Sequence, residues 1–494
     1  MERTLAQGLV TAHQNNGTES DGHERLPLLG SAPGRTAGNR SRGTGRVEQV
    51  ERVERVERAE QAEQADQADQ AEPPERVGQQ GSARLGARFA RLWGSATASA
   101  LGSGLTTVAT PLLVASRTSD PLVVAGASAV AWLPWLLFAL PGGVLVDRVD
   151  RRRLMVTLDW ARFAAMGLLT LTLLTGHPGI AVLFTVLFVV NTGEVVYRAA
   201  AQSLLPAVVP RESLERANGW LIGGATLAQG VLSGPLGGLL FAVSAGLPFL
   251  VNTGTYAVSA ILIALLVGSF RAVPAAADEA GGTGGTPARH SVWTEMAEGF
   301  RWLLRQRLLR TMAVLIGLLN LTLTAATAML VLLAKDRLHL GAVGYGLLFS
   351  CMAVGGIVGS LIGDRLVAWI TATWTIRIGL LIEAGMHLAL ATSTSSAFLG
   401  FVLFAFGIHG SLWGIVASSL RQRMTPPELM GRVSSSNLFV AAGGNCVGAL
   451  MGGALAARFG VTAPYWVGFV VAVGVIAATW HVFDRESVAA AYAT

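Results

Sequence analysis

Six ionisable side chains stand where a chain rarely puts them, inside long apolar segments: Asp159, Arg162, Glu194, Arg198, Glu383 and His409. A charge held in hydrocarbon costs about 2.5–3.5 kcal/mol on insertion scales, so residues of this kind mark paths for protons, ions or polar solutes. Glu194 precedes Arg198 by one helical turn, the favourable order for an i,i+4 ion pair. Two readings of Glu194 stay open. It is a proton-exchanging carboxylate, because a poorly solvated carboxyl group can take up and give back a proton at physiological pH, or it is one half of a neutralised structural pair with Arg198. Asp159 and Arg162 share a helix face one turn apart and read as a structural charge pair bracing the neighbouring loop. Glu383 reads as an inward-facing structural residue with His387 one turn on, and His409 as either a hydrogen-bonded core residue or a ligand contact.

Other chemistries lack their parts. The chain has no phosphate-binding loop, no His-Glu metal helix and no Gly-x-Ser-x-Gly elbow, so neither an enzyme nor a bound metal or cofactor is expected. Cys351 and Cys446 both lie in apolar segments and read as packing residues. A formal charge of +6 and a pI near 10.0 invite a nucleic-acid partner. The arginines are spread over short loops, however, and no basic stretch is interleaved with aromatics, so nucleic acid is not an expected partner.

The elements that must hold these residues are membrane spans. Of the 494 residues, 52% are hydrophobic and 14% charged, whereas soluble domains carry charge on about a quarter of their residues. Apolar segments recur near 92–116, 121–146, 154–175, 180–203, 217–244, 248–270, 310–334, 341–363, 374–393, 396–419, 434–457 and 463–482. Each is long enough to cross ~30 Å of hydrocarbon. Glycine, present 59 times, lets such helices approach closely. One alternate set of loops holds Arg148, Arg151, Arg152, Arg153, Arg211, Arg216, Arg365, Arg377, Arg421, Arg423 and Arg432, whereas the opposite set holds only Arg117, Lys335, Arg337 and Arg458. The positive-inside rule puts the first set, and both termini, in the cytosol.

Five regions follow. Residues 1–86 are polar, with a three-residue repeat from Arg46 to Glu72, and are expected to form a disordered cytosolic arm. Residues 87–270 and 310–482 are two six-span bundles, and 483–494 a cytosolic tail. Between the bundles, 271–309 begins Gly-rich and then becomes amphipathic, with Val292, Trp293, Met296, Phe300, Leu303 and Leu304 at helical spacing. The halves echo one another: Pro210-Arg-Glu212-Ser-Leu-Glu-Arg216 returns about 216 positions later as Pro426-Pro-Glu428-Leu-Met-Gly-Arg432, and Asp147-Arg148 returns as Asp364-Arg365.

The loop Gly143-Val-Leu145-Val-Asp147-Arg148-Val-Asp150-Arg151-Arg152-Arg153 resembles the signature of the major facilitator superfamily, with Asp150 where glycine is usual. Gln202-Ser-Leu-Leu-Pro206 and Arg421-Gln422-Arg423-Met-Thr425-Pro426-Pro427-Glu428 are similar to the bacterial exporter branch that includes enterobactin exporters and macrolide-efflux proteins. The resemblance implies an all-α membrane fold of twelve helices in two pseudo-symmetric bundles. It implies a conformational latch made by Gly143, Asp147, Arg148, Arg151 and Arg152 against the start of the eleventh span, and by Asp364 and Arg365 against the fifth. Gly230, Gly234, Pro235 and Gly238 resemble the family's antiporter motif. Spans one, four, seven and ten line the cavity in relatives, which makes Glu194, Arg198, Asn320, His409 and Trp413 the cavity candidates, with Trp132 and Trp135 as further apolar wall. The expected protein is therefore a monomeric, proton-coupled exporter of a bulky, partly apolar small molecule in a bacterial plasma membrane. Proton-coupled uptake and a non-transporting sensor are the alternatives.

Overall fold

In hydrocarbon no water is present to satisfy peptide groups, so an apolar run has to close its own hydrogen bonds as a helix. The computed structural model describes residues 85–176, 179–268, 270, 292–426 and 429–480. The repeat arm, most of the Gly-rich linker and the carboxy-terminal tail lie outside the described residues. The first six spans are α1 (Gly86–Arg117), α2 (Pro121–Arg148), α3 (Arg151–Leu174), α4 (Ile180–Val208), α5 (Arg211–Val243) and α6 (Leu247–Ala264). A linker helix, Val292–Arg305, precedes α7 (Arg307–Arg337). The segment Ala342–Thr392 reverses at Thr371, whose φ of 69° is a conformation β-branched residues avoid, and so supplies two spans, α8 (342–370) and α9 (372–392). The last three are α10 (Ser396–Met424), α11 (Met430–Phe459) and the shorter α12 (Ala463–Thr479). The described residues thus form an all-α membrane fold of twelve apolar helices.

Two bundles pack from these helices. In the first, α1 and α3 lie on α6, and α2 and α3 on α4; in the second, α7 lies on α11, α8 and α9 on α10, and α9 on α12. The bundles meet along α2 with α11 and along α5 with α8, two contacts that exchange under the halfway repeat. The linker helix is held by apolar contacts of Trp302 and Leu303 with Leu309, Ala313 and Val433, and by Arg432, which donates to Glu298 Oε2 at 2.7 Å.

Small residues set the seam between the bundles. A Cβ on Gly346 of α8 would fall on the carbonyl of Gly234 in α5, one on Gly238 would meet the backbone of Ala342, and one on Gly453 of α11 would meet Ala125 and the carbonyl of Pro121 in α2. Lys335 Nζ donates to Ala115 O at 3.0 Å and Ser350 Oγ to Val231 O at 3.2 Å. All of these approaches lie in the half of the molecule away from the arginine-rich loops. Gly230, Gly234 and Gly238 are therefore the α5 side of this seam, and α5 carries a π-helical turn, Leu227–Leu232, within it.

The departure at Asp150 has a local explanation. Its φ of −66° needs no glycine; its carboxylate caps α3 by accepting from Arg153 N at 2.9 Å and also accepts from Phe270 N at 3.0 Å. Arg152 Nη2 donates to Ala264 O at 2.5 Å, so the same loop closes the end of α6. Asp150→Ala is expected to cost about 1 kcal/mol, the usual worth of an N-cap, read as a lower midpoint of thermal unfolding in detergent.

Candidate functional site

Between the bundles lies a cavity of about 350 Å³. Its charged lining is Glu194 and Arg198; Gln229, Asn191, Asn320 and Asn445 bring amides, and Trp132 and Trp135 bring aromatic walls. Both bundles contribute, since Tyr345, Phe349 and Met352 face it from α8.

Glu194 is the hub of the first bundle. Arg198 Nε donates to its Oε1 at 2.6 Å, Ser103 Oγ to its Oε2 at 3.2 Å, and Arg162 Nη2 also donates to Oε2. Arg162 turns its other arm to Asp159 Oδ1 at 3.0 Å, and Asp159 Oδ2 accepts from Ser259 Oγ at 2.5 Å. Tyr256 and Tyr197 complete the shell, their ring centroids 4.1 and 5.4 Å from the Arg162 guanidinium. Two carboxylates and two guanidiniums thus balance formally. Arg162 is 1% exposed, and Gly193 makes room for it, since a Cβ there would press on its side chain.

Arg198 differs from Arg162 in its access. Its side chain is 41% exposed, lies 5.6 Å over the Trp135 ring and donates from Nη2 to Gln229 Oε1 at 2.6 Å. Gln229 sits in the π-helical turn, so this one side chain joins α4 to α5 across the cavity. On the opposite wall Thr324 donates to Asn445 Oδ1 at 2.8 Å, and Asn320 Nδ2 is spent on Ile316 O at 2.7 Å. The pocket thus offers a reachable cation, amides, hydroxyls and aromatic faces side by side.

The structure places Glu194, Arg198 and Asn320 together on this cavity, and His409 and Trp413 elsewhere. His409 is buried against Gly379 and faces Glu383, and Trp413 packs against the core cluster of α7, α9 and α10 that includes Leu315, Leu319 and Ile376. The reason is helix rotation: α10 is apolar nearly all round, so its pattern does not say which face turns inward. A second correction concerns Asp159 and Arg162. Asp159 lies eight residues into α3, about 12 Å from the loop at 1.5 Å per residue, and the pair joins Glu194 instead of bracing that loop. Gln229, Asn445 and Tyr345 were not signalled by spacing, although Gln229 stands directly before the Gly230 motif.

At the arginine-rich end Arg148, Asp364 and Arg365 are exposed, Gly143 has open space beside it, and the Arg151 N–H donates to Phe270 O at 3.3 Å. The Asp147 side chain lies outside the described residues. Among the described residues no group of histidines, cysteines and carboxylates is arranged to hold a metal ion.

Residues 92–449 match the Major Facilitator Superfamily. Macrolide efflux protein A of Streptococcus pyogenes is 28% identical over 133 residues, which is 27% of this chain and 33% of that protein, so the match spans about a third of that relative. The enterobactin exporter EntS of Escherichia coli is 25% identical over 372 residues, covering 72% of this chain and 82% of EntS. The crystal structure of the nucleoside transporter NupG superposes with a TM-score of 0.62 at 12% identity, over 81% of this chain and 99% of that one, a likeness of fold.

Proposed function

Because the chain belongs to the Major Facilitator Superfamily, on a match over residues 92–449, it is a multi-pass membrane transporter of small molecules and not an enzyme, and we propose that it exports a bulky, partly apolar compound in exchange for protons. The arginine-rich loops are assigned to the cytosol, with both termini, in a bacterial plasma membrane, and the chain is taken to work as a monomer. In that orientation the bundles are sealed at the outer side by the α5–α8 and α2–α11 seams, and the cavity belongs to an inward-facing state. In the outward-facing state Asp147, with its loop partners Gly143, Arg148, Arg151 and Arg152, is assigned to close against the start of α11 near Ser434. Asp364 and Arg365 are assigned to close against the start of α5 near Ala217.

The observation that carries the reading is the position of Arg198, half exposed in the cavity and bonded to both Glu194 and Gln229. A solute group that donates hydrogen bonds or carries positive charge competes for Glu194 Oε1, taking the place that Arg198 Nε now holds. A proton on the same oxygen removes the acceptor that such a group needs. Solute and proton therefore exclude one another at one carboxylate, which is the requirement for exchange. The Gly230, Gly234, Pro235 and Gly238 segment supports export through its resemblance to the family's antiporter motif; it also forms the seam that has to part when the outer side opens. Relatives named as exporters support the same direction.

The test is Glu194→Gln in proteoliposomes. Transport driven by a proton gradient is expected to fall by about 10²-fold or more, the scale of losing a proton-transfer group, while exchange of labelled for unlabelled solute continues. Full gradient-driven transport in the variant would end the assignment. Energised accumulation of solute inside cells would reverse the direction to uptake, and a protein that binds solute without moving it would be a sensor.

A further inference from the structure

Among the described residues, the first bundle balances its buried carboxylates with arginines, whereas the second buries one with none. Glu383 on α9 is 3% exposed. His387 Nε2 lies 3.5 Å from Glu383 Oε1, and His409 Nε2, from α10, lies 3.9 Å from Glu383 Oε2. Both rings are buried as deeply as the carboxylate. Two glycines shape their places: a Cβ on Gly379 would land on the His409 ring, and one on Gly468 of α12 would land on the His387 ring. Within this enclosure Glu383 Oε1 and both ring nitrogens of His387 have no hydrogen-bond partner among the described residues.

Fixed charges on the surrounding helices are engaged or distant. Arg377 of α9 donates to Trp480 O at 2.8 Å and lies over the Trp480 ring at 4.5 Å. Arg421 and Arg423 of α10 stand at least ~18 Å along the helix from His409 at 1.5 Å per residue. On α12 the single titratable residue is Tyr465. The charges of α7 (Arg307, Arg310, Lys335, Asp336 and Arg337) and of α8 (Asp364 and Arg365) belong to the helix ends; between those ends α8 also carries Tyr345, which faces the cavity. A carboxylate in a low-dielectric core with no permanent cation neutralises itself with a proton.

We propose that Glu383, His387 and His409 form a proton-binding site of the second bundle, which holds a proton between carboxylate and imidazole and exchanges it during the transport cycle. The halfway repeat gives the site its meaning. Arg162 and Glu194 join α3 to α4, and Glu383 and His409 occupy the matching pair, α9 and α10. One bundle is thus closed by a permanent cation and the other by a proton that can leave. The inference rests on the antiport reading for its part in transport, and proton binding itself is measured without transport.

The experiment is ¹⁵N-histidine NMR of the full-length protein in lipid nanodiscs, with His387→Asn and His409→Asn to assign the two rings. Between about pH 5 and about pH 8, the range in which imidazoles charge, at least one ring is expected to change protonation state. Glu383→Gln is expected to move that midpoint by about tenfold or more in proton concentration. If Glu383→Gln elutes as aggregate, His409→Gln is read at His387 for the same displacement. Rings that stay neutral across the range, or a midpoint indifferent to both substitutions, overturn the proposal. In proteoliposomes an unchanged pH profile of proton-driven transport in Glu383→Gln overturns the role in the cycle. Wild-type transport that ignores the proton gradient strikes the antiport reading alone and leaves proton binding standing.

Discussion

Arg162→Met is expected to be the most damaging single substitution in the membrane core, lowering stability by about 3–5 kcal/mol, the range for breaking a buried ion pair from one side. The guanidinium answers Asp159 and Glu194 together and carries two aromatic faces. Methionine fills much of the volume and returns none of the charge, so both carboxylates lose their common partner where water cannot replace it. The control is Arg162→Met with Asp159→Asn, which removes one orphaned charge and leaves Glu194 to Arg198. It is expected to recover at least about half of the loss, because coupled sites in one network do not add. The measurement is the fraction of protein remaining monodisperse after heating in detergent. A stable Arg162→Met single variant would show that Arg162 does not balance the cluster.

Gly346→Leu is expected to produce the largest functional loss at a position that touches no solute. The α5 and α8 backbones meet at Gly234 and Gly346, where each glycine's missing Cβ is occupied by the other's carbonyl. Neither backbone can swing aside as a long side chain would. Overpacking of this kind costs about 1–3 kcal/mol, and 1.4 kcal/mol is already tenfold in a two-state equilibrium. The cost falls only on the state in which this seam is closed, so the bundles part here and close at the arginine-rich end. Transport is expected to fall by about tenfold or more. Spin labels at Arg211 and Asp364, both exposed at the arginine-rich end, are expected to sit closer together in the variant than in the wild type. An unchanged distance distribution with normal transport would exclude the seam as the outer gate.

Much of the fold was legible because its cause is local. A run of about twenty apolar residues between arginine-bearing loops has one solution in a bilayer, a helix across it. The α8–α9 reversal was legible as the gap between the spans 341–363 and 374–393, but the turning residue was not, since Thr371 has no glycine or proline to announce it. The site divides in the same way. Glu194 and Arg198 stand four apart on one helix, and spacing alone pairs them. Arg162 reaches Glu194 from another helix, and no spacing within either segment encodes the rotation that aims it there. His409 and Trp413 show the cost of that gap: family likeness selected the tenth span as a wall, but a helix apolar on every side gives no sign of which face is turned inward.

The π-helical turn Leu227–Leu232 places one surplus residue in the middle of α5. An added residue advances a helix by about 100°, so the two ends of α5 run in different angular phase. The end with Gly234 and Gly238 seats on α8 and also, through Gly237 beside Val108, on α1, while the arginine-rich end meets α1 where Trp93 Nε1 donates to Trp220 O at 2.9 Å. The offset thus lets one helix present fitted faces to two neighbours, and it brings Gln229, set on the turn, to the cavity wall.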